Sequence, residues 1–328
     1  MKPFTFIQAG NADTAVAEIN NHEGAKFLGG GTNLIDLMRE NIEQPDVLVD
    51  LTQLPLTDVE EQPDGSVKIG ALVRNAALAA HALIRQKYPV LSAAILNGAS
   101  AQLRNMATTG GNLLQRTRCY YFYDETARCN KRNSGAGCDA IGGFNRIHAI
   151  LGTSSSCIAT HPSDMCVAMA ALDATIQIKG KNGERSININ EFYYLPGNTP
   201  HIETVLEPGE LIVSVTLPPA PFAAHSMYRK VRDRASYAFA IVSVAAALEI
   251  ENGLIKTVRL AMGGVAHKPW RAYALEEVLI GKEASAENFA AAAEAELKDA
   301  KGYEHNAFKI GLAKRTIVSV LGQLSGIV

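Results

Sequence analysis

Five cysteines, Cys119, Cys129, Cys138, Cys157 and Cys166, fall within 48 residues, and none occurs in the 118 residues before or the 162 after. An odd number of thiols without a readable export signal argues against a disulfide framework and for a metal centre, a cluster or a redox pair. Nine, eight and eighteen residues separate Cys119, Cys129, Cys138 and Cys157 in turn. Structural zinc sites usually draw on close C-x2–4-C pairs, and these spacings contain none. Four thiolates from an irregular loop suit a [4Fe–4S] cube, in which each iron needs one protein sulfur. Arg116, Arg118, Arg128, Lys131, Arg132 and Arg146 stand in the same stretch against Asp124, Glu125 and Asp139. Positive charge and N–H donors around an anionic cluster raise its reduction potential. A Cys-rich, zinc-binding interaction module is the competing reading. Cys166 has Met169 and Ala170 at helical spacing, as a small buried residue would, and is left out of the ligand set. His148 and His161 lie close in sequence to the thiols but receive no ligand role.

Two glycine loops offer a second chemistry. Lys26-Phe27-Leu28-Gly29-Gly30-Gly31-Thr32-Asn33-Leu34 links a strand to a helix, and its three glycines let main-chain N–H groups approach an anion. It matches neither G-x-x-x-x-G-K-[ST] nor G-x-G-x-x-G. Thr108-Thr109-Gly110-Gly111-Asn112 adds two hydroxyls and an amide, suited to a diphosphate or a polar ring edge. Either loop alone could be a simple turn; together they point to an extended dinucleotide held from both sides.

The elements that position these loops alternate. Strands are expected at 4–7, 26–28 and 47–51, with helices at 13–20 (capped by Asp13 or Thr14) and 34–40, making a small α/β unit. A strand at 67–69 opens a second unit, with helices at 75–82, 90–99 and 163–173, strands at 175–179 and 211–217, and a glycine turn at 108–112. Residues 115–150 show no sustained period, which is unusual in a compact domain unless something other than an apolar core holds them. Pro218, Pro219 and Pro221 mark a boundary. Beyond it, Glu251-Asn252-Gly253 reads as the turn of a hairpin between 240–250 and 254–262, followed by helices at 270–280, 286–299 and 308–324.

The whole chain has 328 residues, 47% apolar and 20% charged, and 31 Lys+Arg offset 33 Asp+Glu for a net charge of −2. Such a composition describes packed domains rather than disorder. The basic excess of a nucleic-acid binder is missing. So is any window approaching the ~18 apolar residues of a membrane span, and no secretory h-region follows Met1.

The two glycine loops, together with Ser163-Asp164 followed by Ala171-Leu172-Asp173-Ala174, resemble the FAD-binding subunit of molybdenum hydroxylases, the xanthine dehydrogenase family. The likeness extends over essentially the whole chain. It implies an α+β architecture: a two-part FAD-binding domain of the vanillyl-alcohol-oxidase or MurB-like, PCMH type at 1–220 (parts at about 1–57 and 58–220), then a C-terminal domain of antiparallel strands plus helices at 221–328. Carried over residue by residue, it implies FAD contacts from Lys26, Phe27, Leu28, Gly29, Gly30, Gly31, Thr32, Asn33, Leu34, Ala107, Thr108, Gly111, Asn112 and Asp164, and from Lys230 near the flavin ring. Without the resemblance, Lys230 reads as a solvated strand charge. Cys119-Tyr120-Tyr121-Phe122, Gly137-Cys138-Asp139-Ala140 and Cys157-Ile158-Ala159-Thr160-His161-Pro162 are similar to the iron–sulfur-carrying branch of the family, that of bacterial periplasmic aldehyde oxidoreductases. In that branch an insertion, here 115–157, holds a [4Fe–4S] cluster on four cysteines, here Cys119, Cys129, Cys138 and Cys157.

The resemblance further implies a large subunit with the molybdenum cofactor and a small [2Fe–2S] subunit as partners, with electrons passing through FAD to an external acceptor. No acid, base or nucleophile is required of this chain. Residence in the periplasm by co-export with a signal-bearing partner is implied, and otherwise the cytoplasm. A stand-alone FAD-dependent oxidoreductase is the alternative on a related fold.

Overall fold

A computed structural model describes residues 1–327. The chain opens with β1 (Thr5–Gln8), α1 (Ala12–Asn21), β2 (Lys26–Leu28), α2 (Leu34–Arg39) and β3 (Val47–Asp50), whose strands form a sheet of order β1-β3-β2. Both pairings are parallel. All four residues of β3 are buried, as expected of the central strand of a parallel sheet covered on both faces. The cap of α1 is Asn11, whose side chain accepts from the Thr14 amide at 2.8 Å. It displaces the expected Asp13 or Thr14 because a capping side chain must precede the helix and bond an amide of its first turn.

The next unit comprises β4 (Val59–Glu61), β5 (Val67–Gly70), α3 (Asn75–Ala80), α4 (Ala82–Lys87), α5 (Pro89–Asn97), α6 (Ala101–Met106), α7 (Thr109–Leu113), α8 (Tyr120–Tyr123), α9 (Asp164–Ala171), β6 (Thr175–Gly180), β7 (Gly183–Asn188), α10 (Ile189–Phe192) and β8 (Leu211–Leu217). Its five strands run β4-β5-β8-β6-β7 with antiparallel neighbours. Every residue of α9 is buried, so this helix has no polar face and serves as the spine of the core. The expected glycine turn at 108–112 is instead a cap and a short helix. Thr108 caps α7 by accepting from the Gly111 amide at 3.2 Å.

Between α7 and α9 the chain is almost without regular structure. One helical turn (α8) and an isolated bridge between Cys129 and Cys138 are its main features. The Arg132 guanidinium ties it together, donating to the carbonyls of Tyr121 at 2.9 Å and Phe122 at 2.8 Å. Phe122, Ala140, Ile158 and Leu37 of α2 make a small apolar cluster with the cysteines.

Last come β9 (Ser226–Val231), β10 (Val242–Glu251), β11 (Leu254–Gly263), β12 (Trp270–Arg271), α11 (Tyr273–Leu279), α12 (Ala286–Glu296) and α13 (Phe308–Ser325), with the sheet ordered β12-β11-β10-β9. Asn252 (φ 52°) and Gly253 (φ 78°) turn the β10–β11 hairpin in the left-handed conformation such a two-residue loop demands. Trp270 does not begin a helix: it pairs with Met262 of β11, and α11 starts only at Tyr273. Alternate β10 residues Val244, Ala246 and Leu248 face α11–α13, whereas Ala245 joins the core around α9. Among the described residues no helix is long and apolar enough to cross a membrane.

Candidate cofactor site

A cavity of about 1310 Å³ opens beside the first glycine loop. It exceeds the ~300–1,000 Å³ usual for small-molecule sites, so an extended ligand fits. Residues 26–34 line one side without a break, joined by Thr108, Gly110 and Gly111; Arg116, Lys131, His161, Tyr193, Glu203 and His267 are among those facing them. The geometry of the loop follows from its glycines. Gly31 sits at φ 71°, and a Cβ at Gly30 would meet the Met106 carbonyl, 2.7 Å from its carbon. A Cβ at Gly29 would approach the Thr108 hydroxyl to 3.0 Å. The two glycine loops therefore lie against each other, at a separation only glycine permits.

That packing leaves a row of donors unused. Among the described residues, the backbone N–H groups of Gly30, Gly31, Thr32, Asn33 and Leu34 have no acceptor within the chain. Asn33 Nδ2 is buried without a partner, while its Oδ1 accepts from the Arg116 amide at 3.0 Å. Successive unpaired amides are uncommon in folded proteins and make a nest for an anion. The cations of the cavity are already engaged. Arg116 pairs with Glu43 at 2.7 Å and Glu203 at 3.3 Å, and Lys131 Nζ with Glu203 at 2.8 Å. Burial pushes the Glu203 carboxyl up, but Lys131 and Arg116 outweigh it and hold the group below the ordinary carboxylate range. An anionic ligand here is met first by main-chain amides. Residues 26–34 and the Thr108 turn thus fit the diphosphate of FAD.

The remaining residues anticipated from the sequence lie behind the second loop. Ala107 ends α6, and its carbonyl accepts from the Asn75 amide at 2.9 Å. Asn112 Oδ1 accepts from Gln115 Nε2 at 2.8 Å and from the Ser163 hydroxyl. Asp164 and Lys230 meet each other: Lys230 Nζ is 2.8 Å from Asp164 Oδ2 and 3.1 Å from the Asn97 carbonyl. The Tyr228 hydroxyl donates to Asp164 Oδ1. The Lys230 side chain is 1% exposed, so the reading of a solvated strand charge is overturned. Neither member of this pair lines the large cavity. Glu43, Glu203, Tyr193 and His267 carried no sequence signal. Long-range packing brings them in, and no motif spacing announces it.

Cys119, Cys129, Cys138 and Cys157 line one small cavity of about 10 Å³, with Tyr121, Phe122 and Lys131 among their neighbours. Three are buried and Cys138 is half-buried. The neighbouring Cys138 and Cys157 thiols act on each other, so that Cys138 is held below the ordinary thiol range while Cys157 is pushed above it. Burial pushes Cys119 up to about 12. His148 Nε2 lies 3.1 Å from Cys119 Sγ. Among the described residues, no three or more His, Cys, Asp or Glu side chains are arranged to hold a metal ion. The four expected thiols share a cavity without closing around a single ion. Thr117, Lys131 and Ala159 line both cavities, so one layer of residues separates them. Cys166 stands apart in the core on α9, 3.3 Å from the Tyr193 hydroxyl, as its small buried character suggested.

Comparison with known proteins shows the family and the fold. Residues 2–220 match the FAD binding domain in molybdopterin dehydrogenase, and residues 226–322 the CO dehydrogenase flavoprotein C-terminal domain. The aldehyde oxidoreductase FAD-binding subunit PaoB of Escherichia coli (strain K12) is 52% identical over 98% of both chains. The glyceraldehyde dehydrogenase medium chain of Sulfolobus acidocaldarius is 26% identical, over 85% of this chain and 82% of its own. Carbon monoxide dehydrogenase from Hydrogenophaga pseudoflava superposes with a TM-score of 0.77 at 24% identity, covering 99% of each chain and matching the α+β fold. With family matches over both parts of the chain and a relative sharing half its residues end to end, this protein belongs to the FAD-binding subunits of molybdopterin dehydrogenases, flavoprotein components of molybdenum-containing oxidoreductases.

Proposed function

We propose that the chain is the FAD- and [4Fe–4S]-containing electron-transfer subunit of an aldehyde oxidoreductase. The observation that carries the flavin part is the row of unpaired amides from Gly30 to Leu34 facing a cavity of dinucleotide size. Residues 26–34 and Thr108 would hold the diphosphate. Asp164 and Lys230 pair with each other outside this cavity, and only the family likeness would bring them to the ring end. Bound FAD supplies the redox chemistry, taking electrons from a reduced partner and yielding them to an acceptor. The protein's own work is to bind, orient and tune. A cation near the ring favours its reduced, anionic form.

Four thiols around a shared cavity, with no carboxylate lining it, support the cluster assignment. The identity with the aldehyde oxidoreductase subunit supports the substrate class of the complex. Relatives described as subunits and medium chains support a complex with a large molybdenum subunit and a small [2Fe–2S] subunit. We further propose a division into 1–220 and 221–328, and export to the periplasm with a signal-bearing partner. Cell fractionation tests the last: recovery with cytoplasmic markers alone contradicts it.

Iron, zinc, acid-labile sulfide and flavin analysis of the anaerobically purified complex tests the cofactor content. Cys129→Ser should remove the broad iron–sulfur absorbance and the matching iron, while FAD falls much less. Zinc in place of iron, or loss of FAD with iron intact, contradicts the assignment.

A further inference from the structure

One wall of the flavin cavity is a loop with few attachments. Between α10 and β8 the chain runs over 193–210 without a helix or strand. So long a connection inside a compact domain usually has a task of its own. An isolated bridge between Tyr193 and Thr204 closes it at the base, as in an Ω-loop. Within it the Tyr194 amide donates to the Glu203 carbonyl and the Thr199 amide to the Pro196 carbonyl, both at 3.0 Å. Tyr194, Pro196, Pro200 and Ile202 line the same cavity as residues 26–34. Tyr194 is 49% exposed and Ile202 46%. Large apolar side chains left half open along a cavity of dinucleotide size are surface that a ring-bearing ligand covers.

Among the described residues, every hydrogen bond or ion pair that leaves segment 194–203 ends on Lys131 or Arg116. Lys131 Nζ donates to the Pro200 carbonyl at 2.9 Å and to Glu203 Oε1 at 2.8 Å. Arg116 reaches Glu203 at 3.3 Å and Glu43 at 2.7 Å, and Lys26 Nζ stands 3.5 Å from Glu43. Charges of alternating sign thus run from the first residue of the glycine loop to Lys131. Both of the cations that hold the loop belong to segment 115–157, the stretch of the four cysteines. The same stretch meets the tip of the loop: a Cβ at Gly152 would stand 2.6 Å from Leu195 Cδ2, so Leu195 rests on bare backbone. We infer that Lys131 is a positioning residue of the flavin site: its ammonium holds segment 194–203 as a wall against bound FAD, and so couples retention of the flavin to the order of the cysteine stretch. The inference rests on FAD occupying this cavity and asks nothing of what the cysteines bind. Coupling of this kind is reciprocal, so bound FAD in turn steadies the chain around Lys131.

The test follows FAD release from the diluted intact complex by the fluorescence of the freed flavin, beside amide hydrogen exchange. Lys131→Met should release FAD about tenfold faster, as the loss of a charge-assisted hydrogen bond would give, and should speed exchange in 194–203. Lys131→Arg, which keeps a cation with donors for both oxygens, should release FAD near the wild-type rate. In the wild type, stripping FAD should speed exchange in 194–203 and in 128–133; in Lys131→Met the second segment should no longer respond. If Lys131→Met does not assemble, Glu203→Gln removes the same ion pair from the loop side and carries the same expectations. Release at the wild-type rate in the charge-removing variant, or exchange in 128–133 of the wild type that is indifferent to FAD, overturns this inference alone. Undiminished FAD in Gly30→Val overturns the cavity reading and the inference together.

Discussion

Gly30 has no room for a side chain, because a Cβ there meets the Met106 carbonyl. Gly30→Val must therefore push the two glycine loops apart and disorder the amide row between them. FAD occupancy of the purified complex should drop to below about a tenth, with a loss in stability of about 1–3 kcal/mol from overpacking; a fully yellow variant contradicts the loop assignment. Glu203 makes a different kind of contribution. It answers two cations at the cavity wall, so Glu203→Gln leaves Lys131 and Arg116 short of a partner. Removing one partner of a fully buried pair costs about 3–5 kcal/mol, and about 2 kcal/mol is expected at this mostly buried position. The sign with pH follows from the lowered carboxyl. Its stabilisation is complete above the unfolded value of about 4.3 and fades as pH falls through the lower folded value. Denaturant melts between pH 5 and 3 should narrow the gap between wild type and Glu203→Gln; a constant gap contradicts the pairing.

At the scale of elements, apolar periodicity and turn residues carried most of the information. The parallel unit, α9 and the β10–β11 hairpin are readable because burial and turn chemistry are local properties of β3, of α9 and of Asn252-Gly253. Gly253→Ala should cost about 1–2 kcal/mol, since the turn needs a left-handed residue there; a thermal midpoint equal to wild type contradicts that. The short helix α7 and the strand at Trp270 escape such reading. One exists through a Thr108 cap and the other through pairing with β11, and neither leaves a period. That the first glycine loop is a turn is legible in the sequence, but the partners of the cations beside it are not. Glu43 and Glu203 lie 73 and 87 residues from Arg116 in sequence, and only folding brings them together. In the cysteine stretch the absence of periodicity was itself the signal, and Arg132, bonded to carbonyls, supplies part of the order that helices supply elsewhere.

Over the whole molecule, two cavities lie one residue layer apart, and Lys131 belongs to both. Its ammonium is fixed on Glu203 and the Pro200 carbonyl at 2.9 Å, while its backbone is two residues from Cys129. On the proposed assignment, such an arrangement would keep the flavin and the cysteine centre close and separately held, as suits a subunit that moves electrons and leaves substrate chemistry to a partner. Native size-exclusion should recover the chain with both partner subunits, and a solitary chain turning over aldehyde contradicts a division of labour. The most direct measurement is flavin and iron stoichiometry on the anaerobically co-purified complex, wild type beside Cys129→Ser. One FAD per chain in both, with about four fewer irons in the variant, is the predicted result. A colourless wild-type complex, or the same iron content in both, would contradict it.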